Sequence, residues 1–123
     1  MSKHHQHKKQ HDRKAIAEHL QQLEDELHAL ELWGGSAKRP SDQVLAQLSP
    51  MGINEIEFHE WLEYVLVERF RELLEQELPL PDYMLVHTYA QEVYRGEWGK
   101  YRKLIGILQE LDKLICIREA EQK

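Results

Sequence analysis

The sequence contains very little cysteine: Cys116 is the only one among its 123 residues. An internal disulfide is therefore excluded, and we expect the protein to work in the reducing cytoplasm. Long apolar runs are also missing. The mean hydropathy is −0.67, and no run approaches the roughly 18 residues that a membrane span needs. Because no apolar stretch of about 7–15 residues follows the basic start, we expect neither a signal peptide nor an integral membrane protein.

Residue patterns that carry catalysis are missing as well. There is no glycine-rich phosphate loop of the form GxxxxGKS/T. The serines of residues 34–52 lie among turn formers, which does not favour a Ser/His/Asp site. The nearest approach to the Glu-x-x-His pairs of a di-iron bundle is a single Asp25-x-x-His28. Cys116 lies between two isoleucines, as a packing residue would. We therefore predict no catalytic residue and no cofactor. The sequence favours a non-enzymatic protein over an enzyme.

The charge of the chain divides into two parts. The whole sequence has 16 basic and 22 acidic residues, which gives −6. Within residues 1–14, five basic residues stand against Asp12 alone and leave +4, so the remaining 11 basic and 21 acidic residues leave −10. Direct nucleic-acid binding is therefore not expected of the folded domain, because it would repel phosphate.

The basic N-terminal segment is rich in histidine and has no aliphatic residue between Met1 and Ala15. It cannot bury an apolar face, so we predict a disordered tail over residues 1–14 and one helical-bundle domain over residues 15–120. His4, His7 and His11 would share a face in a helix, which makes them weak candidates for binding zinc, nickel or copper. The alternative is a soluble extension in which these histidines matter little.

Apolar residues recur with helical spacing through the domain. A first helix is predicted from five residues on one stripe, and it should stop at Gly34-Gly35. The stripe comprises Ile16, Leu20, Leu23, Leu27 and Leu30. A short second element over Asp42–Leu48 is predicted to pack Val44, Leu45 and Leu48.

Three further helices complete the pattern. The second long helix is predicted to be capped by Asn54, with Glu57 in a capping box, and to end at Pro79-Leu80-Pro81. Its predicted apolar face is Phe58, Trp61, Leu62, Val65, Leu66, Phe70, Leu73 and Leu74. The third helix starts near Asp82 or nearer His87. The fourth starts at Trp98 or Gly99 and runs to about residue 118. No stretch alternates with period two, so the predicted fold class is all-α, a four-helix bundle.

A basic cluster with interleaved aromatic residues lies around the start of the fourth helix. Basic residues next to aromatic ones can bind single-stranded RNA. We favour an amphipathic helix whose aromatic residues face the core and whose cations face water. The cluster comprises Arg95, Lys100, Arg102 and Lys103, with Trp98 and Tyr101 among them. The isolated histidines 19, 28, 59 and 87 are interpreted as surface or packing residues.

Residues 50–62, PMGINEIEFHEWL in one-letter code, resemble the Pro-Phe-x-x-Asp-Thr-Met-x-Phe-x-x-Trp-Leu pattern of the YqcC-like family of small bacterial proteins. The segment LPLP at 78–81, Tyr89 with Glu92, and LQELDKL at 108–114 match further family segments. The resemblance spans about residues 15–118 and implies a four-helix bundle of the YqcC type. Two departures fall where the family tends to have proline, at Glu68 and Thr88, and the second leaves the start of the third helix open.

The resemblance also implies a connection with tRNA pseudouridine synthase C, because family descriptions sometimes carry that name. Pseudouridine synthases need a catalytic aspartate in a mixed α/β domain with a basic cleft. Of the five aspartates here, one lies in the tail, two on predicted long helices and two at positions that suit helix caps: Asp12, then Asp25 and Asp112, then Asp42 and Asp82. The residues thus do not favour synthase activity.

We interpret the chain as a non-catalytic protein-interaction or accessory factor, monomeric or weakly dimeric, with a protein partner. Its connection with tRNA pseudouridylation is an implication of the resemblance. Two alternatives stay open. One is an enzyme of the tRNA pseudouridine synthase C type, and the other is a metal- or RNA-binding accessory protein that acts through the His/Lys-rich tail.

Overall fold

A computed structural model describes residues 10–48 and 55–117 of the chain, and within them it contains helices and no strand. The helices are α1 (Arg13–Ala29), α2 (Asp42–Ala46), α3 (residues 58–75), α4 (His87–Val93) and α5 (Trp98–Ile115), with a 3-10 turn at Ser36–Lys38 between the first two. No helix in these ranges combines the length and the apolar character that a membrane crossing requires.

The four longer helices form a bundle around one apolar core. Helix α5 packs along α1 and also contacts α4, while α3 packs against α1. The predicted all-α class and four-helix bundle are confirmed. Aliphatic side chains with less than 2% exposure make up the centre of the core: Ile16, Leu20, Leu23, Leu27, Leu62, Val67, Leu104, Leu108, Leu111 and Ile115.

Helix α3 changes its pitch along its length. It is α-helical over Phe58–Trp61, π-helical over Leu62–Val67 and α-helical again over Glu68–Glu75. The wider π turns shift the buried face relative to a regular 3.6-residue pattern. Glu63 and Tyr64, which the predicted face leaves out, are therefore buried, whereas Val65 is only partly buried.

Helices α1 and α3 end before the residues that were predicted to stop them. Helix α1 ends at Ala29, and Leu32 N–H donates to the carbonyl of Leu27 at 2.8 Å in a Schellman-type turn. Glu31 takes the left-handed conformation of that turn, with φ 63°. The predicted stop at Gly34-Gly35 is thus wrong by one turn. Helix α3 closes in the same way at Glu77, ahead of the predicted proline stop.

The caps of the helices differ from the predicted ones. Helix α3 starts at Phe58, where Glu57 and Glu60 form a reciprocal capping box, so the predicted cap is three residues too early. Asn54 itself lies outside the described residues. Helix α2 is capped by Ser41 rather than Asp42, and Asp82 caps no helix because α4 starts five residues later. Helix α2 is two residues shorter than the predicted Asp42–Leu48, and its Val44 is 46% exposed instead of packed.

Part of the predicted tail belongs to the first helix. Asp12 caps α1 by accepting from Ala15 N–H at 3.0 Å. Arg13 donates to the carbonyls of Leu73 and Leu78, at 3.1 and 2.8 Å, and so satisfies the C-terminal end of α3. Residues 1–9 lie outside the described residues, and the division into tail and domain stays a prediction.

Candidate protein-interaction groove

Of the three histidines predicted as weak metal ligands, the structure describes His11 alone. His11 is half-buried, and its Nε2 lies 3.1 Å from the carbonyl oxygen of Ile115 at the end of α5. His4 and His7 lie outside the described residues. Within the described ranges, no three histidine, cysteine or acidic side chains converge as a metal site would need. Metal binding by the tail therefore stays a prediction.

Buried carboxylates are candidates for catalytic residues. The first of them, Glu63, instead stabilises the turn that follows α1. Glu63, 3% exposed, accepts from the N–H groups of Gly34 and Gly35 at 2.8 and 2.7 Å. The neighbouring Tyr64 hydroxyl donates to the carbonyl of Gly35 at 2.9 Å. Burial raises the pKa of Tyr64, and nearby carboxylates, Glu63 first, add to the shift. This pair fixes the segment after α1 onto α3.

The second buried carboxylate holds the start of α4. Asp112 of α5, 3% exposed, accepts from the N–H groups of Val86 and His87 and from Nδ1 of the His87 ring. His87, which the sequence interpretation takes as a surface or packing residue, therefore packs against Asp112. An Asp–His pair can orient a general base, but here both carboxylate oxygens also bind backbone donors at a helix start. The arrangement is that of a cap supplied by another helix.

The third buried carboxylate faces a lysine. Glu26 of α1 is 9% exposed, and its Oε1 lies 3.9 Å from Nζ of Lys103. The three acids that are buried in the described part of the chain thus each contact groups that neutralise or hydrogen-bond them. That is the pattern expected of residues that hold a fold together, since buried charges need partners.

The remaining aspartates and the cysteine also have local partners. Asp25 accepts from the amide of Gln21 at 2.9 Å, and Asp42 forms an ion pair with Arg39 at 2.9 Å. Cys116 is half-buried at the end of α5, where its Sγ donates to the carbonyl of Met84 at 3.0 Å. It packs against the segment before α4, as the sequence interpretation has it.

A polar cavity of about 370 Å³ lies between α2 and α3. Arg39 dominates it, since its guanidinium binds Glu68 through two hydrogen bonds of 2.6 and 2.8 Å and also binds Asp42. These bonds, the one to Glu68 first, raise the pKa of Arg39. The guanidinium of Arg39 is therefore already neutralised by two carboxylates.

The basic cluster of the sequence divides in the structure. Arg95 binds Glu92 at 2.6 Å, and Nζ of Lys100 lies 5.3 Å from the ring centroid of Tyr101. Tyr101 is 8% exposed, as expected of a core residue, and its ring stacks on that of Tyr94. Trp98, by contrast, is 55% exposed. The interpretation that the aromatic residues of the cluster face the core is correct for Tyr101 and wrong for Trp98.

Trp98 stands at one end of an open groove of about 480 Å³ beside α5, which we call the α5 groove. Its lining comprises Gln91 of α4 and, on α5, Trp98, Arg102, Ile105, Gly106 and Gln109. The α5 positions follow one another at helical steps, so they form a single stripe about 16 Å long. Nε1 of Trp98 donates to the carbonyl of Gln91 at 2.9 Å. The indole ring is therefore held in place while much of its surface meets water.

Gly106 lies in the middle of the stripe and is half-buried. A Cβ atom added there would meet nothing within 4 Å. Glycine inside a helix lowers stability by about 0.5–1 kcal/mol relative to alanine. The packing of residues 10–48 and 55–117 does not require this glycine. Sequence reasoning missed Gly106, although a glycine inside an uninterrupted helical pattern is a visible signal.

Comparisons with known proteins bear on the fold and the family. Residues 15–114 match the model of family DUF446, described as tRNA pseudouridine synthase C. An "uncharacterized protein" of Haemophilus influenzae is 28% identical over 102 residues, which cover 83% of this chain and 93% of that protein. The "uncharacterized protein YqcC" of Escherichia coli is 29% identical over 106 residues, 86% of this chain and 94% of that one.

The fold is similar to that of a solved structure. The solution NMR structure of YqcC from Escherichia coli has a TM-score of 0.71 at 23% sequence identity, and the match covers 90% of this chain and 93% of that one. The names of these relatives describe no catalysis beyond the family description itself. Because the family match covers most of the sequence, the chain belongs to the DUF446 family of YqcC-like four-helix bundles.

Proposed function

We propose that the chain is a non-catalytic interaction protein that binds a partner protein through the α5 groove. The observation that carries the proposal is Trp98, whose ring is exposed yet held by its bond to Gln91. Tryptophan side chains contribute much of the binding energy of interfaces. A ring that is already fixed loses little conformational entropy when a partner covers it.

The acidic side chains support a binding role over a catalytic one. Glu63 and Asp112 use their oxygens to hold backbone N–H groups, which is a structural role. A non-catalytic role also fits an acidic domain better than RNA modification does, because the phosphates of a folded RNA would face net negative charge.

The family description suggests where the partner acts. It names tRNA pseudouridine synthase C, and we place the partner protein in tRNA pseudouridylation on that ground. We also propose that the protein works in the cytoplasm as a monomer or weak dimer. A single half-buried cysteine suits a reducing compartment.

Site-specific photo-crosslinking in native cells tests the proposal. A photoreactive residue is placed at Gln109, which lines the α5 groove, and as a control at Gln22, an exposed glutamine of α1. We expect a protein to crosslink at position 109 and not at position 22. The identified protein is then titrated with the purified chain and with Trp98→Ala, which should bind about ten-fold or more weakly.

Three results would count against the proposal. The first is crosslinking to RNA instead of protein from position 109. The second is an affinity that Trp98→Ala leaves unchanged. The third is conversion of uridine to pseudouridine in tRNA by the purified chain alone, which would establish the enzyme alternative.

A further inference from the structure

We infer that the partner segment in the α5 groove is an amphipathic α-helix with acidic residues along one flank. This inference rests on the proposed function and deepens it by naming the chemistry of the occupant. Three features of the groove carry the inference: the geometry of the stripe, the glycine at its centre and the charge beside it.

The lining residues of the groove are spaced in a way that suits packing against a second helix. Its residues on α5 are spaced as ridges and grooves of a helix surface are, over about three turns. A partner helix of about 11 residues would match that length. Within the described ranges there is no strand, so an extended peptide has no sheet edge on which to add.

Gly106 favours a close helical neighbour. Glycine weakens a helix interior, and nothing within 4 Å of its missing Cβ explains its presence. A small residue at a helix contact lets a second backbone come nearer than a larger side chain would, because axial separation depends on the side chains at the crossing. The glycine is therefore accounted for if another helix crosses α5 at this point.

The charge beside the groove selects acidic residues on the partner. Among the described residues that line the groove, Arg102 is the one that carries a charge, whereas the domain as a whole is strongly acidic. Arg102 lines the groove and is exposed, and it forms no ion pair with the described part of the chain. A carboxylate on the partner helix would supply one. Complementary charge fixes the register of an interface and excludes wrong partners.

A peptide selection against the full chain tests the inference. A display library of random peptides of about 16 residues, long enough for four helical turns, is selected on the wild type and counter-selected on Gly106→Leu. We expect enriched peptides that are helical when bound, apolar along one stripe and net acidic. Gly106→Leu should bind them about ten-fold or more weakly while its thermal midpoint is not lowered, since leucine is a better helix former than glycine.

Charge reversal at Arg102 distinguishes the contribution of the charged flank to binding from that of the apolar stripe. Arg102→Glu should weaken binding of an enriched peptide about ten-fold, and replacing its glutamates by lysines should restore the affinity for that variant. The inference is overturned if the enriched peptides are extended or basic, or if they bind Gly106→Leu as well as wild type. It is also overturned if single-stranded RNA, tested as a separate arm, occupies the groove instead. A protein crosslinked at Gln109 without such a peptide would leave the proposed function standing and remove this inference alone.

Discussion

Oδ2 of Asp112 lies 2.7 Å from Nδ1 of His87, and this contact joins the C-terminal part of α5 to the first turn of α4. The same carboxylate accepts from the N–H of Val86 at 3.0 and 2.9 Å and from the N–H of His87 at 2.8 Å. A negative charge at a helix N-terminus is stabilising. The cap of α4 is thus a residue 25 positions further along the chain.

Asp112→Asn should lower the free energy of unfolding by about 2–3 kcal/mol, because the amide places a donor where the carboxylate accepts from buried N–H groups. Urea unfolding measures the loss, and amide hydrogen exchange should show that it is concentrated at the start of α4. The matched control is Glu110→Gln on the same helix. Glu110 is exposed, and its one ion pair with the described residues is with Lys113, at 3.4 Å, so Glu110→Gln should lower the free energy of unfolding by no more than about 0.5 kcal/mol. Similar losses in both variants would refute a capping role for Asp112.

The fold class could be predicted from the sequence because the helical spacing of apolar residues decides it. The start of α5 at Trp98 is confirmed, and so are four of the five stripe residues of α1, whereas Leu30 lies just past its end and is only partly buried. The sequence left two starts for α4 open, near Asp82 or nearer His87, and the helix starts at His87; the sequence could not choose between them, since the cap comes from another helix. The burial of Glu63 could not be predicted either, because it depends on the π-helical pitch of α3.

The candidate groove was harder to predict from the sequence than the core. Trp98 precedes the apolar stripe of α5, and the carbonyl that binds its indole belongs to α4, so its exposure depends on how two helices pack. Charge and composition predicted a binding protein in general terms. They could not locate the surface, because exposure of a single aromatic residue is a tertiary property.

The turn after α1 should be sensitive to a single methyl group. A Cβ at Gly34 would overlap the hydroxyl of Tyr64, so Gly34→Ala should cost about 1–3 kcal/mol of unfolding free energy. In a Tyr64→Phe background the obstructing hydroxyl is gone, and the cost of Gly34→Ala should fall by about 1 kcal/mol. A double-mutant cycle by chemical denaturation measures this coupling. If the two substitutions are additive, the hydroxyl is not the obstacle.

The C-terminal turn of α1 stores backbone strain that glycine would relieve. Glu31 has φ 63°, a conformation that side chains other than glycine rarely adopt. Glu31→Gly should therefore raise the free energy of unfolding by about 0.5–1 kcal/mol. Glu18→Gly, at an exposed position inside α1, serves as the control and should lower it by a similar amount. Destabilisation by both substitutions would show that the turn is not strained.

Alkaline stability should depend on Tyr94. Burial raises the pKa of Tyr94 above its ordinary value of 10.0, with smaller contributions from Tyr101 and Glu57. Below pH 10 the phenol is neutral in both states. Above it the unfolded chain loses the proton while the folded chain keeps it, so stability falls as pH rises through the unfolded value. Tyr94→Phe should flatten the fall measured by urea unfolding above about pH 10, whereas Tyr83→Phe at an exposed tyrosine should not. An unchanged slope in Tyr94→Phe would exclude this residue as the cause.

Gly106→Ala tests most directly whether the α5 groove is a binding surface. The added methyl group meets no atom within 4 Å, and alanine is the better helix former. The variant should thus unfold with a free energy about 0.5–1 kcal/mol higher than wild type. Its affinity for the protein crosslinked at Gln109, measured by titration calorimetry, should nevertheless be about ten-fold lower, because the methyl group holds the partner away from α5. A variant that is more stable and binds that protein as tightly as wild type would contradict the account.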